Sequence, residues 1–482
     1  MHPAIIFRIL GILLMVFSIA LVPPILVSLI YQDSALGAFV TTLGITFATG
    51  AACWYPVRNI SQDLRTRDGF VVTALFWLVL AISGALPLML AESPGLSFTD
   101  AFFESLSGWT TTGATVITGL DDLPKSILFY RQLLQWFGGM GIIVLAVAIL
   151  PMLGIGGMQL YRTETPGPMK DSKLTPRITE TAKTLWYIYL ALTIACAVGF
   201  WIAGMNLFDA ICHAFSTVAI GGFSTHDASM GYFDSGSIEA IAIFFMIISS
   251  FNFALHFYAW RFKSLRHYFA DAEVKTLLIV LGIAALVVFI TLVVSNSYSP
   301  NEAMRFGLFE LVSIATTTGF TTADFSLWPV FLPFLLFFLA FMGGCAGSTG
   351  GGFKVIRVLL VYKQGSREMK RLIHPNAIIP IRIGGRPVDD RILEAVWGFL
   401  SVYLMLYVIM TILLLATGLD FVTAFSAVGA CINNLGPGLG EVAAHYGDIS
   451  DFAKWVLSFA MLLGRLEIFT LLVLFTPTFW RQ

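Results

Sequence analysis

The sequence predicts an all-α polytopic membrane protein of about ten transmembrane helices. Four channel-like helix–pore-loop–helix repeats stand in pseudo-fourfold arrangement, with two extra N-terminal helices. Three observations predict it: a composition too apolar for a soluble core, long apolar stretches along the whole chain, and polar threonine–glycine runs recurring at fixed offsets between them.

Of the 482 residues, 57% are hydrophobic and 12% charged. A soluble domain carries about 25% charged and about 45–50% apolar residues, so the excess calls for a bilayer as solvent. The formal net charge is −1 and no basic tract stands out, so no nucleic-acid partner is expected. Cys53, Cys196, Cys212, Cys345 and Cys431 are scattered singly, which fits neither a zinc site nor a disulfide framework.

A crossing helix needs about 20 mostly apolar residues. Candidates run roughly at 4–30, 36–55, 70–91, 126–150, 184–204, 237–260, 274–295, 328–362, 392–417 and 452–477. Shorter apolar stretches near 98–110, 207–219, 301–315 and 420–431 are too short to cross and fit re-entrant segments. One class of loop is basic, with Arg58, Arg65 and Arg67, then Arg162, Lys170, Lys173, Arg177 and Lys183, then Arg261, Lys263, Arg266 and Lys275, then nine basic residues over 354–391. The alternating loops are acidic, with Asp100, Asp121, Asp209, Asp227, Asp324, Asp420 and Asp448 among their residues. Positive loops stay inside, so both termini are expected on the cytoplasmic side.

Every threonine–glycine run falls in an outward loop: "SGWTTTGATV" at Ser107, "STVAIGGFST" at Ser216, "SIATTTGFTT" at Ser313 and "CINNLGPGLG" at Cys431. Glu104, His213 and Glu310 each stand nine residues before Gly113, Gly222 and Gly319; Ser107, Ser216 and Ser313 each stand six before. The fourth copy is looser. Aligned on Ser426, ten before Gly436, it carries about four extra residues. The resulting units are 1–56 (two N-terminal helices), 70–150, 184–260, 274–362 and 392–478 (four pore repeats).

This is the layout of a pore. A cation that sheds water needs replacement oxygens, and rings of backbone carbonyls supply them without net charge. Glycine lets the strand adopt the dihedrals this requires, and a short helix aiming its C-terminus inward adds partial negative charge. The candidate ion-binding backbone is Thr111-Thr112-Gly113, Ile220-Gly221-Gly222, Thr317-Thr318-Gly319 and Asn434-Leu435-Gly436. Asp100, Glu104 and Glu310 either concentrate cations at the outer mouth or cap and anchor the short helices. His213 replaces the acid of the other copies and is not expected to ligate a metal.

Two further features lie at membrane depth. "GGCAGSTGGGFK" interrupts the 328–362 stretch with Gly343, Gly344, Gly347, Ser348, Thr349, Gly350, Gly351, Gly352 and Lys354. So many glycines, each costing about 1 kcal/mol in a helix, predict a break over 343–352, either a packing kink or a moving part. Arg465 sits inside the last apolar stretch, where a charge faces a wet cavity or a partner. It either ties carbonyls of the pore helices or shapes the barrier to cations. Glu467, two residues on, points elsewhere on a helix.

The stretches "DAFFESLSGWTTTGATV", "QWFGGMGIIVLAVAILP", "AIGGFSTHDASMGYFDS", "GGCAGSTGGGFKVIR", "NNLGPGLG" and "LLGRLEIFTLLVLFTPTFWR" resemble the Trk/Ktr/HKT superfamily of potassium transporters, closest to its bacterial TrkH/TrkG uptake branch, over essentially the whole chain. The resemblance implies potassium uptake across the bacterial cytoplasmic (inner) membrane, with K+ as transported ion and no organic cofactor in this chain. It implies that glycine at all four key positions goes with potassium selectivity, that the 343–352 loop occludes the pore below the filter with its glycines as hinges, and that Arg465 points toward the cavity. It also implies a homodimer on a cytosolic ring of RCK-type, TrkA-like nucleotide-binding regulatory subunits. No GxGxxG or GK[ST] pattern on a strand–helix unit supplies a nucleotide site here.

A symporter coupling potassium or sodium to protons is the alternative, although the repeats share one topology whereas inverted repeats are its usual sign. A membrane enzyme needs paired acids or a nucleophile–base set within the spans, and none is visible.

Overall fold

The computed structural model describes residues 2–60, 66–152, 178–466 and 468–481. The basic residues Arg65, Arg162, Lys170, Lys173 and Arg177, and Glu467, lie outside the described residues.

Among the described residues, six helices are long and apolar enough to cross a bilayer, and eight if each of two bent pairs counts as one span. Ala272–Val294 shows why water is the wrong solvent. Ile279, Ile283, Leu286 and Ile290 lie exposed along one of its faces, an apolar stripe suited to hydrocarbon. Pro3–Ala20 runs on into Val22–Tyr31 and packs against Leu36–Trp54. Gly11 and Gly50 let the backbones of these two layers touch, because a Cβ on Gly11 would lie 2.7 Å from the Gly50 carbonyl oxygen.

Four copies of one unit follow. The first helices are Thr66–Leu90, Ile178–Ile202, Ala272–Val294 and Asp390–Leu415, and the short helices are Phe98–Trp109, Leu207–Ala219, Pro300–Ala315 and Phe421–Ile432. The second helices begin at Lys125, Gly236, Phe331 and Asp451. Each short helix starts at a capping side chain: Ser97, Asn206, Ser299 (with Glu302 completing a capping box) and Asp420. The first, second and fourth caps stand sixteen residues before their glycine and the third twenty, so the third copy carries the extra turn.

All four second helices are broken at comparable depth. Lys125–Met152 has a non-helical Gly141, at φ 25° and ψ −137°. Gly236–Ser249 and Phe253–Phe262 meet at 94°, Phe331–Met342 gives way to the glycine loop, and Asp451–Arg465 and Phe469–Phe475 meet at 109°. The first break, at Gly138, Gly139 and Gly141, and the third fall where glycines are dense; the second and fourth do not. The expected continuous spans at 126–150, 237–260 and 452–477 are interrupted instead, at Gly141, at Ser249-Ser250 and after Gly464-Arg465. A two-residue antiparallel hairpin, Arg382 opposite Pro387, lies in the basic connection between copies three and four. The apolar cores join neighbouring copies. One unites the N-terminal helices with copies one and four, a second copies three and four, a third copies two and three.

Candidate functional site

The four short helices end alike. In each copy the N–H of the residue before the key glycine donates to the carbonyl six positions before that glycine: Thr112 to Ser107 (2.9 Å), Gly221 to Ser216 (2.8 Å), Thr318 to Ser313 (2.8 Å) and Leu435 to Ala430 (2.8 Å). The residue two before the glycine is left-handed in every copy, with φ 53° at Thr111, 55° at Ile220, 67° at Thr317 and 53° at Asn434. The glycines are left-handed too, with φ 81°, 78°, 84° and 96° at Gly113, Gly222, Gly319 and Gly436. Side chains other than glycine rarely adopt two such turns in three residues.

These strands form a closed ring. A Cβ on Gly113 would overlap the carbonyl oxygen of Gly221, one on Gly222 that of Thr318, and one on Gly319 that of Leu435; one on Gly436 would lie 2.7 Å from that of Thr112. Each glycine thus abuts the carbonyl preceding the glycine of the next copy, and the fourth returns to the first. Gly436 occupies the same place as the others. The fourth copy has no insertion: Ala430 is the counterpart of Ser107, and Ser426 lies one turn earlier. The alignment on Ser426 fails because the serine hydroxyl does not set the geometry. The hydroxyls of Ser107 and Ser216 have no hydrogen-bond partner, while the backbone bond is indifferent to side chain. Asn434 Nδ2 reaches Thr112 Oγ1 at 2.9 Å, stitching copy four to copy one. Thr112 and Thr318 pair their hydroxyls with Thr110 (2.7 Å) and Thr316 (2.8 Å).

Beyond the glycines the strands rise to a cavity of about 360 Å³ lined by all four glycines with Thr115, Arg131, His226, Thr322, Asp324 and Tyr446 among others. A polar residue five or six positions before the end of each short helix holds the outgoing strand. Glu104 accepts from Val116 N (2.9 Å), His213 bonds Ser224 Oγ (3.0 Å), Glu310 accepts from Thr322 N (2.6 Å) and Ser426 accepts from Leu439 N (2.8 Å). Asp100, in the first turn, accepts from the capping Ser97 hydroxyl (2.9 Å) and pairs with Lys454 at 2.6 Å, so its anchoring role is the one the contacts carry. No cluster among the described residues suits a metal held by His, Cys, Asp and Glu side chains.

Sequence reasoning missed Arg131 and Gln135. Arg131 is fully buried, ion-paired with Glu104 at 2.8 Å, and donates to Thr115 Oγ1 (3.0 Å) and to Ser224 O (3.1 Å) of the second copy. Gln135 holds the second strand with both ends, donating to Gly221 O (2.6 Å) and accepting from Phe223 N (3.1 Å). Their signal was present: polar side chains on one face, four apart, inside an apolar span.

At the rim, His226 bonds Asp121 of the first copy through Nδ1 and Asp209 of its own through Nε2 (3.2 Å), and stacks on Tyr232 with centroids 3.4 Å apart. Two carboxylate acceptors need two N–H donors, which only the imidazolium has. Burial opposes that charge, but the two aspartates outweigh it and raise the pKa of His226 above its ordinary 6.5. The stabilisation is therefore complete below pH 6.5 and lost as pH rises through the raised value. Wild-type melting temperature should fall across that alkaline-side window and that of His226→Gln should not; parallel curves by differential scanning fluorimetry would remove the bridge.

Beneath the ring lies the 343–352 loop, touching the ends of the short helices. Thr349 Oγ1 donates to Val218 O (3.0 Å), Gly351 N to Thr317 Oγ1 (2.7 Å) and Gly352 N to Asn433 O (3.0 Å). Its near end enters the break of the second copy, where Cys345 N donates to Ser250 O (2.9 Å) and Phe253 N to Gly347 O (3.0 Å). Gly343 and Gly352 face each other across the neck, Gly344 N approaches Gly351 O at 3.4 Å, and Gly350 packs on Thr316 O. Ser348 Oγ donates to Cys345 O (2.7 Å) and Lys354 Nζ to Gly350 O, closing the turn internally. Arg465 reaches the same level from the fourth copy. Its guanidinium donates to Gly138 O and to Gly139 O (3.4 Å), beside the break of the first copy, and approaches Thr349 O at 3.5 Å. The contacts thus include the carbonyl ties expected of a structural role and a position against the loop.

A family model described as "TrkH: Cation transport protein" matches residues 35–482. The chain is 61% identical over 477 residues to a protein of Halomonas elongata named "Trk system potassium uptake protein TrkH", covering 99% of each chain. It is 56% identical over 486 residues to a protein of the same name from Escherichia coli K12, covering 100% of each. It superposes with TM-score 0.91 and 57% identity on the structure titled "Crystal Structure of the Potassium Transporter TrkH from Vibrio parahaemolyticus", covering 100% of both chains.

Proposed function

The chain belongs to the TrkH family of cation transport proteins, and from that premise we propose that it takes up potassium across the bacterial cytoplasmic membrane through a pore on the axis of its four glycine strands. The observation that carries this reading is the closed ring, in which Gly113, Gly222, Gly319 and Gly436 each abut the next copy's carbonyl. An ion entering the outer cavity sheds water and finds carbonyl oxygens of Thr112, Gly221, Thr318 and Leu435 at one level. Such a ring replaces hydration without adding net charge. The C-termini of the four short helices end at this level and contribute partial negative charge. The repeats bounded at 70–150, 184–260, 274–362 and 392–478 each supply a quarter of the pathway.

Below the ring, the 343–352 loop and Arg465 act as the gate. The loop's bonds to Val218 O and Asn433 O at two short-helix ends and to Thr317 Oγ1 at the base of the third strand support an occluded resting position, and freeing it requires Gly343 and Gly352 to turn. A homodimer with cytoplasmic termini, seated on a cytosolic nucleotide-binding ring, completes the assembly and supplies the regulation this chain lacks. No bond is made or broken by the chain.

Purified protein in liposomes should accumulate rubidium down a negative-inside potential, with equimolar sodium competing weakly. Imposed proton gradients should leave the reversal potential where rubidium sets it. A reversal potential that tracks protons would replace the pore by the symporter.

A further inference from the structure

The four quadrants behind the ring differ in charge. At the position nine before the glycine, Glu104 is neutralised by Arg131 at 2.8 Å. His213 spends its ring nitrogens on Asp209 O (2.9 Å) and Ser224 Oγ (3.0 Å), and the fourth copy has Ala427. Glu310 alone of the four combines a carboxylate with complete burial and no cation. It is 0% exposed, and no ion pair reaches it among the described residues. Its Oε1 accepts from Thr322 N (2.6 Å), Ala323 N (3.1 Å) and Thr322 Oγ1 (3.2 Å), but Oε2 has no partner. Glu239, on the neighbouring second helix of copy two, is the charge that bears on it and is of like sign; Arg305, on Glu310's own helix, is committed to Glu239 at 2.7 Å and Asp234 at 2.8 Å. Thr322 and Ala323, which hold Glu310, are themselves part of the outer cavity wall.

A buried charge without a partner is costly unless an opposite charge comes near. We propose that the permeating cation is that opposite charge, so that Glu310, behind the third strand, is the residue that sets the affinity of the pathway. The inference rests on the four strands being the cation path. It makes the pathway electrostatically lopsided: the buried carboxyl without a cation lies in the third quadrant, where burial opposes its charge until the permeant cation is near, while Arg131 pairs with the carboxylate of the first. Glu310 acts through the strand as a positioning charge and does not itself ligate the ion.

The experiment is rubidium uptake by Glu310→Gln in liposomes, with concentration for half-maximal rate and maximal rate read separately. The amide oxygen keeps the bonds from Thr322 N and Ala323 N, so a purely structural role leaves both unchanged. Loss of the charge should raise the half-maximal concentration about tenfold, as one unit charge in a medium of intermediate dielectric can, with the maximal rate retained. Glu310→Asp, which keeps the charge, should restore most of the affinity. A folded Glu310→Gln with wild-type half-maximal concentration overturns the proposal, and does so with uptake intact, whereas failure of the pore reading would abolish selective uptake in the wild type. Should Glu310→Gln not fold, the Glu310-bearing protein decides. With His226 exchanged for Asn, to silence the imidazole at the rim, half-maximal concentration should rise as external pH falls, because proton and cation compete for one carboxylate. Glu239 is already held as a salt by Arg305. A flat pH profile there overturns the proposal.

Discussion

Gly113→Ser should reduce the preference for potassium-like over sodium-like cations by about tenfold or more, the largest selectivity effect expected of any single change in this chain. The argument is steric before it is chemical. Gly113 sits at φ 81°, where a side chain is strained, and its Cβ would overlap Gly221 O. Gly221 cannot retreat freely, because Gln135 holds its carbonyl and the following Phe223 N–H. The serine therefore moves its own strand, and with it the spacing of one quadrant of the ring. On the proposed pore, selectivity depends on oxygens spaced for one ionic radius, and a change of about 1.4 kcal/mol in relative cation stabilisation is tenfold. Gly44→Ser is the matched control, since nothing lies within 4 Å of a Cβ there. The measurement is paired rubidium and sodium flux in liposomes. An unchanged ratio in folded Gly113→Ser would take Gly113 out of the filter.

What was legible in the sequence was what depends on side chains. The residues that clamp the outgoing strands (Glu104, His213 and Glu310) and the glycines required by left-handed dihedrals left a fixed spacing to read in three copies. The register of the fourth copy was not legible, because Leu435 N to Ala430 O is a backbone bond that any residue at 430 could make. Reading Ser426 as the landmark put weight on a hydroxyl that in the fourth copy binds the Leu439 backbone instead. The breaks in the second helices were legible only where glycines are dense. At Ser249-Ser250 and at Arg465 the helix stops because its tertiary setting absorbs the freed backbone groups. Ser250 O, for example, receives Cys345 N of another copy, a partner 95 positions away in the chain that no local pattern announces. Arg131 stood out as a charge in an apolar span, but its role was hidden for the same reason: its three oxygen partners come from two copies.

Arg465→Ala should increase cation flux through folded protein by about tenfold and weaken whatever keeps the pathway shut. Two contributions act in the same direction. A guanidinium at the level of the loop repels a passing cation, and at about 6 Å and an effective dielectric near 20 that is worth about 3 kcal/mol, less whatever water screens. The same group also crosses between copies, donating to Gly138 O and Gly139 O in the first and approaching Thr349 O in the loop of the third. Its removal therefore lowers a barrier and frees one anchor of the loop together. Arg465→Lys separates them. Lysine keeps the positive charge but not the planar fork that reaches several carbonyls at once. If repulsion dominates, flux through the lysine variant stays near wild type; if the tie dominates, the lysine variant leaks like alanine. Rubidium flux under a fixed potential reads both, with melting temperature measured alongside to establish that each variant is folded. Wild-type flux through folded Arg465→Ala would leave Arg465 as a packing residue between the first and fourth copies, and the gate would then reside in the 343–352 loop alone.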